Sequence, residues 1–277
     1  AVMVWTRYEG SPSADGRWWG LMAEDEDWLT SAYLVYDLQA GSVHTLVADG
    51  SDNVNLPGSA WNSSTHQIVF SSSRGEHDEI YLIPENGRNG QEIQITAADD
   101  RMAYEPSLSP DGQWVVFESH PLEDEGNGVI VRHRLDGTGS THMLTDPEGD
   151  CRQPNWSPDG TLIVYQAQHA GQWDLWVMQP DGTDQRQLTT GDGDETDATF
   201  SPDGRWIVYS ADGPDIAFAS LFVVPVSGGE ATRLTFSNRY DGAPAWSPDG
   251  SRIAFESSPG DPEDSAGTEI RVIDFHP

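Results

Sequence analysis

Short apolar stretches alternate along the chain with turns rich in Gly, Pro, Asp and Ser. The apolar stretches have about six or seven residues, as in QWVVFES at 113–119 and DLWVMQP at 174–180. Stretches of this length between turn residues predict β-strands rather than helices. Both sides of these strands are apolar, which is typical of strands packed between neighbouring sheets. The pattern therefore predicts an all-β fold.

A Ser-Pro-Asp-Gly tetrapeptide precedes four of the apolar strands, at 109–112, 157–160, 201–204 and 247–250. Degenerate copies at 13–16 and 62–65 precede two similar strands. Successive copies begin 44 to 49 residues apart. An Asp-Gly pair favours a tight hairpin because Gly readily takes the positive φ that such turns require. The chain therefore contains six repeats of one supersecondary unit.

Each repeat predicts four short strands, and repeated four-stranded antiparallel sheets predict a β-propeller. We expect six blades of four antiparallel strands in one domain that spans residues 1–277. The last repeat ends at its third strand, whereas the first repeat has a spare strand before its turn. Residues 2–6 are therefore expected to complete the blade formed by 244–277, which would remove the exposed edges of an open ring.

The repeat Pro-x-Trp-Ser-Pro-Asp-Gly-x-x-Ile-x-Phe, with close copies at 154–165 and 244–255, resembles the TolB-type propeller repeat over essentially the whole chain. That family includes the propeller half of TolB, a periplasmic partner of a peptidoglycan-associated lipoprotein. Related propellers occur in oligogalacturonate lyases and as gating domains of prolyl-type peptidases. The resemblance implies the fold and a periplasmic or secreted location, but leaves the function open.

The net charge of the chain excludes some classes of binding partner. It has 14 basic residues, all Arg, against 46 acidic ones, a formal net charge of −32. Such a chain repels phosphate backbones and anionic bilayers, so neither nucleic-acid binding nor membrane docking is expected. No apolar run is long enough for membrane insertion. Cys151 is the single cysteine, so an internal disulfide or a cysteine zinc cluster is excluded.

Ligands of propellers commonly bind where loops from separate blades converge, at a funnel on one face. In this chain the loops that lead into the first strand of each repeat carry Tyr-acid pairs and Arg152. Tyr and Arg together suit a sugar or a peptide, although Asp and Asn also simply shape turns. The candidate ligand-binding residues are Tyr8, Glu9, Tyr104, Glu105, Arg152, Gln153, Glu195, Asp197, Tyr240 and Asp241.

Two sets of residues are candidate metal ligands. His120 and His169 follow the second strands of neighbouring repeats, and the lyases that this repeat resembles hold a funnel metal partly through His. Asp192 and Asp194 belong to the densest cluster of oxygen ligands, which suits Ca²⁺. Neither set has the spacing of an established metal motif. No cofactor is certain, and Ca²⁺ or another divalent metal is the cofactor to test.

Three functions remain open after this reasoning, and one of them is a purely structural ring detached from a larger assembly. The first is a non-enzymatic binding or scaffold propeller, a monomer that holds a peptide, protein or glycan at the funnel. The alternative is a carbohydrate-active enzyme, a polysaccharide lyase or glycoside hydrolase that uses funnel carboxylates, Arg152 and a metal. No Gly-x-Ser-x-Gly elbow occurs and Lys is absent, which disfavours nucleophilic catalysis.

Overall fold

The computed structural model describes residues 18–24, 31–37, 40–47, 54–55, 61–62, 64–85, 87, 90–122, 127–214, 216–259 and 268–277. These residues contain 23 β-strands and no α-helix, as the sequence predicts. A search of them for a helix with the length and apolar character to cross a bilayer finds none.

The strands form antiparallel sheets of consecutive segments, each named here by its first strand. The β1 sheet contains β1 (Trp18–Glu24), β2 (Ser31–Asp37) and β3 (Ser42–Val47). The β4 sheet contains β4 (Val54–Asn55), β5 (Trp61–Asn62), β6 (Gln67–Ser72), β7 (Glu79–Pro84) and β8 (Ile93–Gln94). The β9 blade contains β9 (Arg101–Leu108), β10 (Trp114–Pro121), β11 (Val129–Arg134) and β12 (Thr141–Met143).

The C-terminal half repeats the same order of strands. The β13 blade contains β13 (Cys151–Trp156), β14 (Ile163–His169), β15 (Gln172–Met178) and β16 (Arg186–Gln187). The β17 blade contains β17 (Glu195–Phe200), β18 (Trp206–Gly213), β19 (Ile216–Pro225) and β20 (Thr232–Arg233). The β21 blade contains β21 (Tyr240–Trp246), β22 (Arg252–Ser258) and β23 (Glu269–Asp274).

The prediction of six four-stranded blades is wrong. Five of these sheets are blades of three or four strands, and the β4 sheet differs from them with five. In that sheet β4 and β5 both pair with β6, so the first predicted strand is split into two pieces of two residues each. The predicted closing strand at 2–6 lies outside the described residues.

The core lies between adjacent blades, as the apolar character of both strand faces predicts. One cluster joins Val164 and Leu175 of the β13 blade to Phe200 and Tyr209 of the β17 blade. Similar clusters join the β4 sheet to the β9 blade, the β9 blade to the β13 blade, and the β17 blade to the β21 blade. Burial of these apolar faces fixes the five sheets from β4 to β21 against one another.

The Ser-Pro-Asp-Gly turns repeat one hydrogen-bonded structure. In the first, the Ser109 hydroxyl donates to Asp111 Oδ1 (2.6 Å) and accepts from the Trp114 backbone N (3.0 Å). The same two bonds occur in the turns that begin at Ser157, Ser201 and Ser247. The Asp side chain therefore completes the turn before the second strand begins.

Candidate functional site at the inner strands

The first strands of successive blades, β9, β13, β17 and β21, lie beside one another at the inner side of the propeller. Each contains a β-bulge, where the pairing with the second strand shifts register. At each bulge one residue has a positive φ: Glu105 (48°), Gln153 (49°), Asp197 (57°) and Ala243 (46°). Non-glycine residues adopt this conformation at a cost, so the neighbouring blades must hold it in place.

Hydrogen bonds connect these bulge residues from blade to blade. The backbone N of Gln153 donates to Glu118 Oε2 on β10 (2.8 Å). The backbone N of Asp197 donates to Gln153 Oε1 (2.9 Å), and that of Ala243 donates to Asp197 Oδ2 (3.2 Å). Each of these three bulge N–H groups thus has an acceptor on the preceding blade, which fixes the positions of the side chains that accept.

Three carboxyl groups converge at these bulges. Burial raises the pKa of Glu105 well above its ordinary value, and the nearby Glu118 and Asp197 carboxylates raise it further. Burial also raises the pKa of Asp197, although hydrogen bonds from Ala243, Gln153 and Thr196 act in the opposite direction. Glu105 and Asp197 keep some accessible surface, so a ligand can reach a site where negative charge is crowded and poorly hydrated.

Tyr104 and His120 line the β9 side of this site. The His120 ring is buried, and its Nε2 lies 3.2 Å from Glu118 Oε1. The Tyr104 ring meets the His120 ring edge to face at 5.9 Å, and its hydroxyl lies 2.8 Å from the Met102 sulfur. The Tyr104 hydroxyl also hydrogen-bonds Asp78, whose pKa is raised by burial. The imidazole is thus held as an internal partner of Glu118.

Arg152 is neutralised by its own blade. Its guanidinium donates to both carboxylate oxygens of Asp150, from Nε at 3.1 Å and from Nη2 at 2.9 Å. It also lies 5.0 Å from the centre of the Trp173 ring. Arg152 is therefore paired with a carboxylate and covers one face of Trp173, an aromatic ring that would otherwise be able to stack on a sugar.

The family model for the TolB beta propeller domain matches residues 122–270. This chain belongs to the TolB β-propeller family. Over 123 residues it is 30% identical to the protein TolB homolog of Chlorobaculum tepidum. That match covers 44% of this chain and 26% of the homolog. Over 182 residues it is 32% identical to the uncharacterized peptidase YuxL of Bacillus subtilis. That match covers 65% of this chain and 25% of YuxL. The matched parts thus span about a quarter of each relative.

Solved structures share the TolB propeller fold over nearly the whole chain. TolB from Acinetobacter baumannii has a TM-score of 0.76 at 18% identity, covering 95% of this chain and 62% of that one. The putative TolB from Agrobacterium tumefaciens has a TM-score of 0.68 at 20% identity, covering 97% of this chain and 90% of that one. At such identities the likeness establishes the fold.

Within this TolB propeller, Glu195 and Asp241 are buried rather than displayed to a ligand. The Glu195 carboxylate accepts from the Thr189 hydroxyl and from the Leu175 backbone N. The Asp241 carboxylate accepts from the hydroxyls of Ser257 (2.7 Å) and Ser237 (2.9 Å). Glu195 therefore joins the start of the β17 blade to the β13 blade, whereas Asp241 stabilises the end of its own blade.

The Tyr-acid pairs do not occupy equivalent positions. In the β9 blade Tyr104 is the strand partner of Glu118. In the β21 blade the residue equivalent to Glu118 is Glu256, and its strand partner is Gly242. Tyr240 therefore lies two positions before the place that Tyr104 occupies. Tyr240 is half-buried, and Tyr8 and Glu9 lie outside the described residues. The bulge residues and Glu118 come together, whereas the remaining predicted ligand-binding residues lie in other surroundings.

The two candidate histidine ligands are not brought together either. His120 is buried, whereas His169 is exposed at the end of β14. Val115 on β10 and Ile163 on β14 pair with equivalent residues of the first strands of their blades. His120 lies five residues after Val115, and the residue five after Ile163 is Gln168, not His169. A shift of one residue in a strand moves a side chain to the opposite face. The two side chains therefore differ in burial and in strand position, and a funnel metal that they share stays a prediction.

Asp192 and Asp194 lie in one loop, and Asp194 joins that loop to β15. Asp192 is exposed, and Asp194 Oδ1 accepts from the Trp173 backbone N (3.0 Å). Across the described part of the chain, no group of three or more His, Cys, Asp or Glu side chains could hold a metal ion. The acidic loops at 123–126 and 261–264 lie outside that part, so the calcium site stays a prediction.

Glu118 is the residue of this site that sequence reasoning missed. It lies in an apolar second strand, where an acid is unexpected. The recurrence of Phe-Glu-Ser at 117–119 and 255–257 was the available signal, because a buried acid that repeats at one position requires a fixed partner.

Proposed function

We propose that this chain is a non-catalytic binding module that holds a peptide, protein or glycan ligand at the inner strands of the propeller. The observation that carries the proposal is the convergence of Glu105, Glu118 and Asp197 at the bulges. Burial, and then the neighbouring Glu118 and Asp197 carboxylates, raise the pKa of Glu105, so a ligand that brings positive charge or hydrogen-bond donors would stabilise the ionised carboxyl group. We therefore favour a peptide or protein with an exposed cationic group.

The arrangement of the described residues supports binding rather than covalent catalysis. The Cys151 side chain is buried, and burial raises the pKa of its thiol to about 11. A thiol with that pKa is a poor nucleophile at neutral pH. Each Asp197 oxygen already accepts hydrogen bonds, so this carboxylate is held as a structural acceptor rather than presented as a base.

A second candidate, a carbohydrate-active enzyme, is favoured by one observation. The pKa of Glu105 is raised well above its ordinary value beside a second carboxyl group, Asp197. Glycoside hydrolysis uses such a pair, in which one carboxyl group holds a proton and the other does not. This alternative requires turnover of a polysaccharide that depends on Glu105.

Peptide and glycan arrays followed by calorimetry test the proposal. Glu105→Gln is expected to weaken binding of a cationic ligand by about tenfold, because glutamine keeps the shape but cannot ionise when the cation binds. Glu148→Gln, at an exposed site outside the bulges, is the matched control. Polysaccharide cleavage that Glu105→Gln abolishes would establish the enzyme instead. Failure of every array ligand to bind would overturn the binding module.

The location and the oligomeric state follow as part of this proposal. The family resemblance supports a periplasmic or secreted protein, which cell fractionation would test. The high negative charge supports a monomer that binds neither nucleic acid nor anionic membranes. Light scattering at several protein concentrations would detect a dimer and would contradict the monomer.

A further inference from the structure

A cavity of about 410 Å³ lies between the segment that leads into β17 and strands β18 and β19. Its wall is largely apolar, with the side chains of Leu188, Tyr209, Ala211, Ile216 and Phe222. Four acids also line it: Asp192, Glu195, Asp212 and Glu230. This space lies between the end of the β13 blade and the β17 blade, and it is separate from the bulges where the proposed ligand of the propeller binds.

An aromatic pair forms one side of the cavity. The rings of Tyr209 and Phe222 are stacked, with 5.8 Å between their centres and 24° between their planes. They are Cα partners on β18 and β19. At the equivalent positions of the β4 sheet, Phe70 and Tyr81 stack with almost the same geometry, 5.7 Å and 20°. The two sheets therefore offer the same aromatic surface.

In the β4 sheet an arginine of the chain itself covers this surface. The Arg74 guanidinium lies 4.6 Å from the centre of the Tyr81 ring and 5.6 Å from that of Phe70. Its Nη1 donates to Glu92 Oε1 at 2.9 Å. A guanidinium held between an aromatic face and a carboxylate is stabilised by both.

The β17 blade lacks both side chains that fill this space in the β4 sheet. Arg74 stands four residues after Phe70, and the residue four after Tyr209 is Gly213. Glu92 stands four residues before Thr96, whose hydroxyl accepts from the Ile80 backbone N. The equivalent threonine of the β17 blade is Thr235, which accepts from Leu221, and the residue four before it is Ala231. Gly213 and Ala231 both line the cavity.

The neighbouring β13 blade also fills the equivalent space from within. There Gln185 stands at the position of Ala231, and its Oε1 accepts from the Tyr165 hydroxyl at 3.2 Å. Its Nε2 donates to the Leu144 carbonyl at 2.9 Å. The partner of Tyr165 on the next strand is the larger Trp176 in place of Phe222. In the β4 sheet and in the β13 blade, therefore, a planar nitrogen-bearing group of the chain occupies the space that is open in the β17 blade.

The acids of the cavity supply the charge that a guanidinium requires. Asp192 and Glu230 are exposed at its rim. Asp212 is fixed there, because its Oδ1 accepts from the Asp194 backbone N at 2.9 Å. Glu195 is buried beneath them. These carboxylates replace Glu92 as partners for a cation, and their number favours a cationic ligand over a neutral one.

We propose that this cavity binds the guanidinium of an arginine side chain from a peptide, stacked on Tyr209 and Phe222 in the place that Arg74 occupies on Phe70 and Tyr81. The rim carboxylates of Asp192, Asp212 and Glu230 receive its N–H groups. The inference does not depend on a ligand at the inner-strand bulges, since no bulge residue lines the cavity.

Calorimetry with small probes tests the chemistry. N-acetyl-arginine amide is expected to bind, whereas N-acetyl-citrulline amide, which has nearly the same shape without the charge, is expected to bind at least about tenfold more weakly. N-acetyl-lysine amide lacks the planar group and should also be weaker. An arginine tripeptide that binds more tightly than free arginine would identify a peptide as the source. Equal affinity for arginine and citrulline would overturn the proposal.

Two variants test the location. Ala231→Gln restores the glutamine of the β13 blade, and it should fill the cavity and remove detectable arginine binding. Ala97→Gln makes the same change at an exposed site in another sheet and should leave binding unaltered. If Ala231→Gln does not fold, Glu230→Gln at the exposed rim should still weaken binding several-fold. If Ala231→Gln folds and still binds arginine as the native protein does, the site is refuted. If Ala231→Gln does not fold, unaltered arginine binding by Glu230→Gln refutes the site.

Discussion

Gln153 and Asp197 exchange two hydrogen bonds between neighbouring blades. Gln153 Oε1 accepts from the Asp197 backbone N at 2.9 Å, and Gln153 Nε2 lies 3.4 Å from Asp197 Oδ1. The amide is suited to this position because it offers an acceptor to the bulge and a donor to the carboxylate. A carboxylate at position 153 could make only the first of these bonds.

We predict that Gln153→Glu destabilises the protein by about 1–3 kcal/mol, since it removes a donor and adds a negative charge beside Asp197. Urea unfolding at pH 7 measures the effect. The loss should decrease at low pH, where the protonated carboxyl group introduced at position 153 can donate again. Gln168→Glu, on an exposed part of β14, is the control. Equal losses in the two variants, or a loss that does not depend on pH, would contradict the role of the amide.

The same region shows how far the sequence can be interpreted. Ser-Pro-Asp-Gly turns and apolar strands predict the position of β10, β14, β18 and β22, because a turn and a strand are local features. The bulges are not local, since their positive φ values depend on acceptors from the preceding blade. A difference of one or two residues in strand register decides which side chains meet. His169 lies one position, and Tyr240 two positions, from the place equivalent to its counterpart in the β9 blade.

Burial was equally hidden from the sequence. Glu195 and Asp241 stand in loops or strand ends that the composition marks as polar. A threonine hydroxyl of the preceding β13 blade nevertheless covers Glu195, and a serine hydroxyl of its own blade covers Asp241. The opening in the β17 blade depends on residues that are missing relative to other repeats. Such a comparison requires the register of each strand, which the structure provides.

Acid is predicted to weaken the Ser-Pro-Asp-Gly turns. Hydrogen bonds from Ser247 and then Ser251 lower the pKa of Asp249 from 3.8 to about 2. Since the folded pKa lies below the unfolded one, the stabilisation is complete above about pH 4 and is lost as pH falls through about 2. Carboxyl titration by NMR measures the pKa directly. Asp249→Asn should reduce the pH dependence of unfolding in this range, whereas Asp99→Asn at an exposed site should not.

Glu195 is predicted to act in the opposite direction. Burial raises its pKa from 4.5 to about 7. Its contribution to stability is therefore greatest below about pH 4.5, and up to ~3 kcal/mol is lost as pH rises through about 7. Unfolding measured from about pH 4.5 to 8 should show a smaller decline in Glu195→Gln than in the native protein, the remainder coming from Glu105 and Asp197, whose pKa values are also raised. A slope as steep in Glu195→Gln as in the native protein, or one that Glu148→Gln reduces equally, would contradict the assignment.

Two equivalent glycines allow backbone strain to be separated from packing. Gly137 and Gly182 occupy the second Asp-Gly turns of the β9 and β13 blades, with φ values of 79° and 85°. A Cβ at Gly137 would have no neighbour within 4 Å, whereas one at Gly182 would lie 3.0 Å from the Leu144 carbonyl oxygen and 3.3 Å from its Cα. Alanine at either position must adopt the left-handed backbone conformation, which lowers the free energy of unfolding by about 1–2 kcal/mol.

Gly182→Ala is therefore predicted to destabilise the protein by about 1 kcal/mol more than Gly137→Ala, because only the former presses against the backbone of the preceding blade. Parallel urea titrations of the two variants measure the difference, and the strain that they share cancels. Equal losses would mean that the contact between Gly182 and Leu144 relaxes without cost. The turns would then be independent of the neighbouring blade, and the packing between blades would rest on the strands alone.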